Sequence, residues 1–224
     1  MLCRALMHTT MDRFMRRIET DAFVTSADKC TLTPERVTQV VASRRISING
    51  KHSCYGWTAL QYAVYRKRPE VVVALLAAGA CANVKIGDGL ASVYADSCPI
   101  QHGITSVWLA AFSSNANTLQ VLIESGGNVN EPAPDGQTPL LALVRNSYGD
   151  AASRLAVLLA RPELDLDNKW KGKTAKRWAA DEGYHDLAAA IEQERTIRKR
   201  WSPLRSAWVA AIIAPIAIPS TTEC

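Results

Sequence analysis

One short motif dominates the sequence, because it returns four times with a similar apolar pattern behind it. Gly-x-Thr begins the stretches GWTALQYA at Gly56, GITSVWLA at Gly103, GQTPLLAL at Gly136 and GKTAKRWA at Gly172. The four glycines are separated by 47, 33 and 36 positions. A helix this short cannot bury its own apolar face, so a chain that repeats it must stack one copy on the next.

Each copy is followed by a second apolar pattern, which predicts a longer helix packed on one side. Its stripe has i, i+3, i+4 spacing in three copies: Val72, Leu75 and Leu76; Leu119, Leu122 and Ile123; Leu155, Leu158 and Leu159. Gly79 and Gly126 lie where such a helix ends in a left-handed turn, which glycine adopts without steric cost. Thr138 and Pro139 stand in the order expected of an N-cap and a first helical residue.

A turn, a short helix, a tight turn and a longer helix, repeated at about 33 residues, resemble the ankyrin repeat. The resemblance extends from about Ile46 to Arg195 and implies an all-α ankyrin-repeat solenoid of three to four repeats between helical caps. The family's usual histidine after Thr-Pro-Leu is absent, so its hydrogen bonds between repeats must be replaced or missing. The residues at that position are Gln61, Trp108, Leu141 and Arg177.

The two ends of the repeat domain predict caps, since a terminal repeat has a neighbour on one side only. The stretch that begins at Pro34 predicts the outer helix of a degenerate first repeat, with Arg44 in place of the terminal glycine. We divide the chain into an N-terminal segment and helical cap (1–33), a repeat domain (34–195) and a basic, then apolar tail (196–224). The cap stripes are Val37, Val40 and Val41 at one end, and Leu187, Ala190 and Ile191 at the other.

One turn is much longer than its equivalents. Gly103 follows Asn83 by 20 positions, whereas Gly136 follows Asn130 by six. Insertions in repeat proteins emerge on one face, which is often the binding face. The insertion 84–102 is therefore either a functionless surface loop or a finger that reaches over a ligand.

The resemblance also implies where a partner binds, namely on the turn tips and inner helices. Aromatic and basic side chains, which dominate binding energy at interfaces, are frequent at these positions. Trp57 and Trp170 lie in turns, where a place in the core is not expected. We expect a partner protein with an apolar segment and some acidic residues. The candidate contacts are Tyr55, Trp57, Tyr65, Arg66, His102, Ile104, Phe112, Arg145, Trp170, Lys171 and Lys173.

Charge and cysteine content limit the partners and the compartment. The formal net charge is +5, and the tail contributes +3 of it, so the near-neutral body argues against a nucleic-acid-binding face. The six cysteines form no C-x-x-C pair, and the N-terminus has no secretory apolar segment. These features favour a reducing intracellular compartment, the cytoplasm or else the nucleus. The Arg-rich stretch MDRFMRRIE is either a capping helix or an organelle-targeting peptide.

Catalytic motifs are not found. The chain has neither a P-loop nor a G-x-S-x-G motif, and we expect no enzyme activity and no cofactor. His52, Cys54, Cys98 and His102 offer four zinc ligands, but their spacings are not standard, and we expect no metal site.

The tail leaves a second function open. Its apolar stretch, 207–219, is too short to span a bilayer, which takes about 20 residues. Preceded by the basic stretch 198–205, it is a packed or disordered extension, a segment for a partner's groove, or the anchor of a peripheral membrane adaptor.

Overall fold

The structure is a computed structural model that describes residues 2–87, 103–113, 115–147 and 149–213, with side chains from residue 15 to residue 200 of these ranges. Ten helices and two short strands are found within them. The helices are α1 (Leu2–Asp28), α2 (Pro34–Ser43), α3 (Ala59–Tyr65), α4 (Pro69–Ala77), α5 (Ser106–Ser113), α6 (Ala116–Glu124), α7 (Pro139–Arg145), α8 (Ala151–Leu159), α9 (Ala175–Asp181) and α10 (His185–Ile213). The strands are β1 (Lys169–Trp170) and β2 (Lys173–Thr174), which pair antiparallel.

The helices form two layers, and each helix packs on the next one in its layer. In the inner layer α1 packs on α3, α3 on α5, α5 on α7 and α7 on α9. In the outer layer α2 packs on α4, α4 on α6, α6 on α8 and α8 on α10. The odd-numbered helices from α3 follow the Gly-x-Thr motifs, and the apolar stripes lie on α4, α6 and α8. The predicted all-α stack of helix pairs is confirmed, and α1 with α2 forms its first pair.

The motif residues form the predicted local structure. All four motif glycines have positive φ, between 69° and 85°, and the threonines that follow stand at or next to helix N-caps. The Thr58 side chain accepts from Gln61 N, and the Gln61 side chain accepts from Thr58 N, which completes a capping box. Arg44 adopts a left-handed conformation at the end of α2, as its place in the repeat predicts.

Two of the four residues at the family's histidine position replace its hydrogen bond. Gln61 Nε2 donates to the Val84 carbonyl at 2.8 Å, and Trp108 Nε1 donates to the Gln137 carbonyl at 2.9 Å. The Trp108 bond joins its repeat to the next turn along the stack. Leu141 is buried, and Arg177 is exposed and pairs with Asp181.

Three asparagines join neighbouring repeats in the same way. Each side-chain nitrogen donates to a backbone carbonyl of the next repeat, and each side-chain oxygen accepts from a backbone N–H two residues further on. The donor–acceptor distances lie between 2.6 and 3.4 Å. The asparagines and their partners are Asn49 with Gly79 and Cys81, Asn83 with Gly126 and Asn128, and Asn130 with Glu163 and Asp165.

The long helix α10 runs through the boundary that composition placed at residue 196. Arg198 holds this part of the helix to the stack, since its guanidinium donates to the carbonyls of Leu159, Arg161 and Leu164 at 2.7–2.9 Å. These carbonyls lie at and after the end of α8, where helical carbonyls lack partners within the helix. Among the described residues, no helix has both the length and the apolar character needed to cross a membrane.

Candidate functional site

The first cluster of candidate residues lies on the hairpin that precedes α3. Trp57 packs its ring against Tyr62 at 4.7 Å and against Tyr65 at 5.6 Å between centroids. Tyr55, exposed at the tip of the turn, lies against His52 at 4.7 Å. The hairpin and the inner helix α3 therefore carry two neighbouring groups of rings, with Tyr62 buried beneath Trp57, and we name them together the aromatic cluster: His52, Tyr55, Trp57, Tyr62 and Tyr65.

The second cluster lies on the hairpin of β1 and β2 and on the ends of α7 and α9. Lys171 and Gly172 form the two-residue loop, and both have positive φ, 50° and 76°, as in a type I′ turn. Arg145 and Lys171 lie over the Trp170 ring, at 4.6 and 4.3 Å from its centroid. Lys173 lies over Trp178 at 4.9 Å. We name these five residues the cationic cluster: Arg145, Trp170, Lys171, Lys173 and Trp178.

In the middle of the stack, the candidate binding residues are less exposed than the resemblance to the family implies. Ile104 is 1% exposed and belongs to the core. Its backbone carbonyl accepts from Ile86 N at the base of the inserted turn. Phe112 is half-buried and stacks on Trp108 at 5.3 Å. His102 lies outside the described residues, as do residues 88–101 of the insertion.

The two tryptophans of the turns are more buried than their positions suggested. Trp170 is only 5% exposed, because the tight β1–β2 turn folds it against Trp178, whose ring centroid is 5.1 Å away. Trp57 is half-buried against the core. The expectation that neither ring has a place in the core is therefore wrong for Trp170, and Trp57 combines a packed face with an exposed one. The binding roles of both residues stay predictions.

The four candidate cations differ in whether a carboxylate already pairs with them. Arg66 donates twice to Asp28, at 2.7 and 3.1 Å, and Lys173 bonds Asp181 at 2.8 Å. The hydrogen bond from Lys173, with the Arg177 charge nearby, lowers the pKa of Asp181 below its ordinary value, so this carboxylate is ionised at neutral pH. Arg145 and Lys171 have no carboxylate within 4 Å in the part of the chain that the structure describes.

Sequence reasoning missed Trp178 and Asp28. Trp178 lies on the inner helix α9, and its Nε1 donates to the Trp170 carbonyl at 3.1 Å, which fixes the hairpin on the helix. The sequence did not mark Trp178 as a candidate contact, because it follows Arg177 at a position where the family has no usual contact residue. Asp28 ends α1, and only the packing of α1 on α3 brings it to Arg66.

Metal-ligating side chains do not cluster among the described residues. Within residues 2–87, 103–113, 115–147 and 149–213, no group of three or more His, Cys, Asp or Glu side chains is placed to hold a metal ion. Cys30, Cys54 and Cys81 are exposed free thiols. Of the four zinc candidates, His52 and Cys54 lie on the first hairpin, and Cys98 and His102 lie outside the described residues.

Comparison with protein families identifies part of the chain. The ankyrin repeat family matches residues 55–88, which include the second half of the first hairpin, α3, α4 and the start of the insertion. No curated protein matches the chain. The matched segment is the unit whose hairpin carries the aromatic cluster, and the remaining helix pairs repeat its order of elements.

Proposed function

Because the chain is an ankyrin-repeat protein, and ankyrin repeats generally mediate protein–protein interaction, we propose that it is a non-catalytic binding module. A partner protein binds across the hairpins and the inner helices α3, α5, α7 and α9. The observation that carries the proposal is the pair of clusters at the two ends of this surface, one aromatic and one cationic. The partner segment is apolar with some acidic residues.

The aromatic cluster suits an apolar contact. Tyr55 is 37% exposed, and Trp57 and Tyr65 are each half-buried, so their exposed faces lose water when a partner covers them. Their buried faces are already fixed by packing, which lowers the entropy that binding costs. Tyrosine and tryptophan held in this way are frequent among the residues that dominate interface energy.

Free thiols support a reducing compartment for this activity, the cytoplasm or the nucleus. The described residues give no support to the alternative, a peripheral membrane adaptor anchored by residues 198–219. Arg198, the first cation of that stretch, is bound to backbone carbonyls of the repeat stack. It is therefore not available to lipid headgroups.

Affinity capture tests the proposal with a matched pair of variants. Tyr55→Ala with Tyr65→Ala removes apolar surface from the hairpin side, and Val41→Ala with Val73→Ala removes it from the outer helices, where both valines are exposed. Circular dichroism first establishes that all chains fold. We expect the tyrosine variant alone to lose the partner that the intact chain captures. Loss with the valine variant instead would overturn the proposal.

A further inference from the structure

We propose that the hairpin of β1 and β2 is a carboxylate-binding subsite, which takes the acidic residues of the partner segment. The inference rests on the proposed function, and it assigns the acidic part of the partner to one end of the surface. The site consists of the guanidinium of Arg145 and the ammonium of Lys171 around the Trp170 ring.

At this hairpin the positive side chains outnumber their carboxylate partners. Arg66, the cation beside the aromatic cluster, is neutralised by Asp28. Asp181 serves both Lys173 and Arg177, at 2.8 and 3.0 Å, so one negative charge faces two positive ones. Arg145 and Lys171, by contrast, have no carboxylate partner among the described residues, so the four cations at this end of the surface share the one carboxylate of Asp181. An acidic segment supplies the missing carboxylates.

The two unpaired cations lie close together around one ring. Arg145 Cζ and Lys171 Nζ lie 4.6 and 4.3 Å from the same ring centroid, so they are at most 8.9 Å apart. The screening length at physiological salt is about 8–10 Å, which is similar to this upper limit. An anion beside the ring therefore interacts with both cations and relieves their mutual repulsion.

The two cations are also held in place before binding. Lys171 lies in a two-residue turn whose backbone is fixed by the β1–β2 pairing, and Arg145 is the last residue of α7. Each gains a cation–π contact with the Trp170 ring, which stabilises its position without neutralising its charge. A guanidinium held in this way offers a carboxylate parallel N–H donors. The site is therefore preorganised for an anion.

A further polar group at the same place lacks a partner. The Trp170 Nε1–H is buried and has no hydrogen-bond acceptor among the described residues. By contrast, Trp108 Nε1 and Trp178 Nε1 each donate to a backbone carbonyl. Buried donors are nearly always paired. Because this N–H belongs to the ring that both cations contact, its NMR signal is a probe of changes at the site.

The stacking order sets the length of a segment that contacts both clusters. Three steps separate α3 from α9, and packed helices lie about 8–10 Å apart, so the clusters are about 24–30 Å apart. An extended chain covers this distance with about seven to nine residues. The segment therefore has its apolar part at the first hairpin and its acidic part at the last one.

An acidic peptide fits better than a nucleic acid. A nucleic-acid site needs a row of cations along the phosphate backbone. Here Lys173, Arg177, Lys176 and Arg66 all have carboxylate partners, which leaves the unpaired charge of this site around one ring. A short stretch of carboxylates matches that distribution.

The test is a titration of the full chain with an oligoglutamate of about ten residues, long enough to cover the site. The indole N–H signals are followed by NMR, and Trp170→Phe identifies the Trp170 signal. We expect that signal to shift on binding while the Trp108 signal stays in place. Raising the salt to about 1 M, where the screening length is about 3 Å, abolishes the binding.

Matched variants decide whether the binding belongs to this hairpin. Lys171→Asn removes a charge and keeps a residue that tolerates a left-handed backbone, and Arg145→Gln removes the other charge. We expect each to weaken oligoglutamate binding about two- to fivefold. The controls are Lys67→Asn, at an exposed residue that also has positive φ, and Arg200→Gln, at an exposed position of α10; both leave the affinity unchanged.

Three results overturn the inference: an unmoved Trp170 signal, equal losses in the control variants, or tighter binding of a single-stranded oligonucleotide than of oligoglutamate. They are separable from a failure of the proposed function. If the tyrosine variant still loses the captured partner while oligoglutamate does not bind, only the carboxylate subsite is wrong. If oligoglutamate binds as expected and the tyrosine variant keeps its partner, the proposed function fails instead.

Discussion

Arg154 carries a charge into the interior of the stack. Its side chain is 2% exposed, and its guanidinium donates to the Ala111 and Phe112 carbonyls, at 2.5 and 3.1 Å, near the end of α5. Asp150 lies 3.1 Å from its Nε and accepts from Ala116 N through its second oxygen. Burial lowers the pKa of Arg154 from its ordinary value, and the Asp150 charge opposes that shift. One residue thus joins the repeat of α7 and α8 to the repeat of α5 and α6.

Arg154→Met tests this link. The change leaves the Ala111 carbonyl and one oxygen of Asp150 without their partner, whereas the Phe112 carbonyl keeps the Asn146 amide, so we expect the free energy of unfolding to fall by about 2–3 kcal/mol. Urea denaturation followed by circular dichroism measures it. Arg177→Met, at an exposed ion pair, should cost less than about 1 kcal/mol. Equal effects of the two changes would contradict a structural role for the buried arginine.

The asparagine bridges make a second prediction for a single residue. Asn130→Ala removes two hydrogen bonds to the next repeat, from Nδ2 to the Glu163 carbonyl and from Asp165 N to Oδ1. We expect a loss of about 1–2 kcal/mol in the free energy of unfolding. Asn117→Ala, at an exposed position of α6, is the control and should not destabilise the chain. A stable Asn130→Ala chain would show that water replaces the bridge at no cost.

At the scale of the element, α10 is the helix whose role changes along its length. Its first turns pack against α9 and α8 as the outer helix of the last repeat. Further on, Arg195 pairs with Asp167 at 2.7 Å, and Arg198 caps the end of α8. Asp167 occupies the place in the last repeat that the bridging asparagines hold in the others. With no further repeat to contact, it pairs with α10, which closes the stack.

Arg198→Ala tests the docking of this helix. Without the guanidinium, the last carbonyls of α8 lose their donors and the later part of α10 loses its contact with the repeats. We expect faster amide hydrogen exchange in α10 after residue 196 and in residues 159–164, with α3 to α7 unchanged. Arg200→Ala, exposed on the same helix, should leave exchange as in the intact chain. Unchanged exchange in the Arg198 variant would mean that α10 docks by other contacts.

Helix starts and turns that depend on a local sequence pattern could be predicted from the sequence. Gly-x-Thr predicts the starts of the inner helices, because a left-handed glycine and an N-cap threonine act within a few residues. Gln61 and Trp108 stand where the family has a histidine, and both donate a hydrogen bond to a backbone carbonyl. The sequence alone did not predict these two bonds. The burial of Trp170 could not be predicted either, since it depends on Trp178 and on the tight turn together. The capping arginines, 154 and 198, depend on distances between repeats, which no local pattern encodes.

At the scale of the whole molecule, the stack separates two tasks. The repeats are held together by the outer helices, the bridges and the buried residues of α3, α5 and α7, whereas the candidate aromatic and basic side chains lie on the hairpins and at the ends of the inner helices. The candidate residues gather at the two ends of that surface rather than along it, since Ile104 is in the core and Phe112 is half-buried. We therefore expect a partner segment to be recognised by its two ends.

Amide hydrogen exchange of the chain with and without its captured partner locates the surface that the partner covers. We predict that protection on binding falls on residues 51–58, α3, residues 169–174 and α9, the elements that carry the two clusters. Protection confined to α2, α4, α6 and α8, or to residues 198–213, would contradict it. In that case the partner binds the outer layer or the tail, and the hairpin clusters serve only to pack the fold.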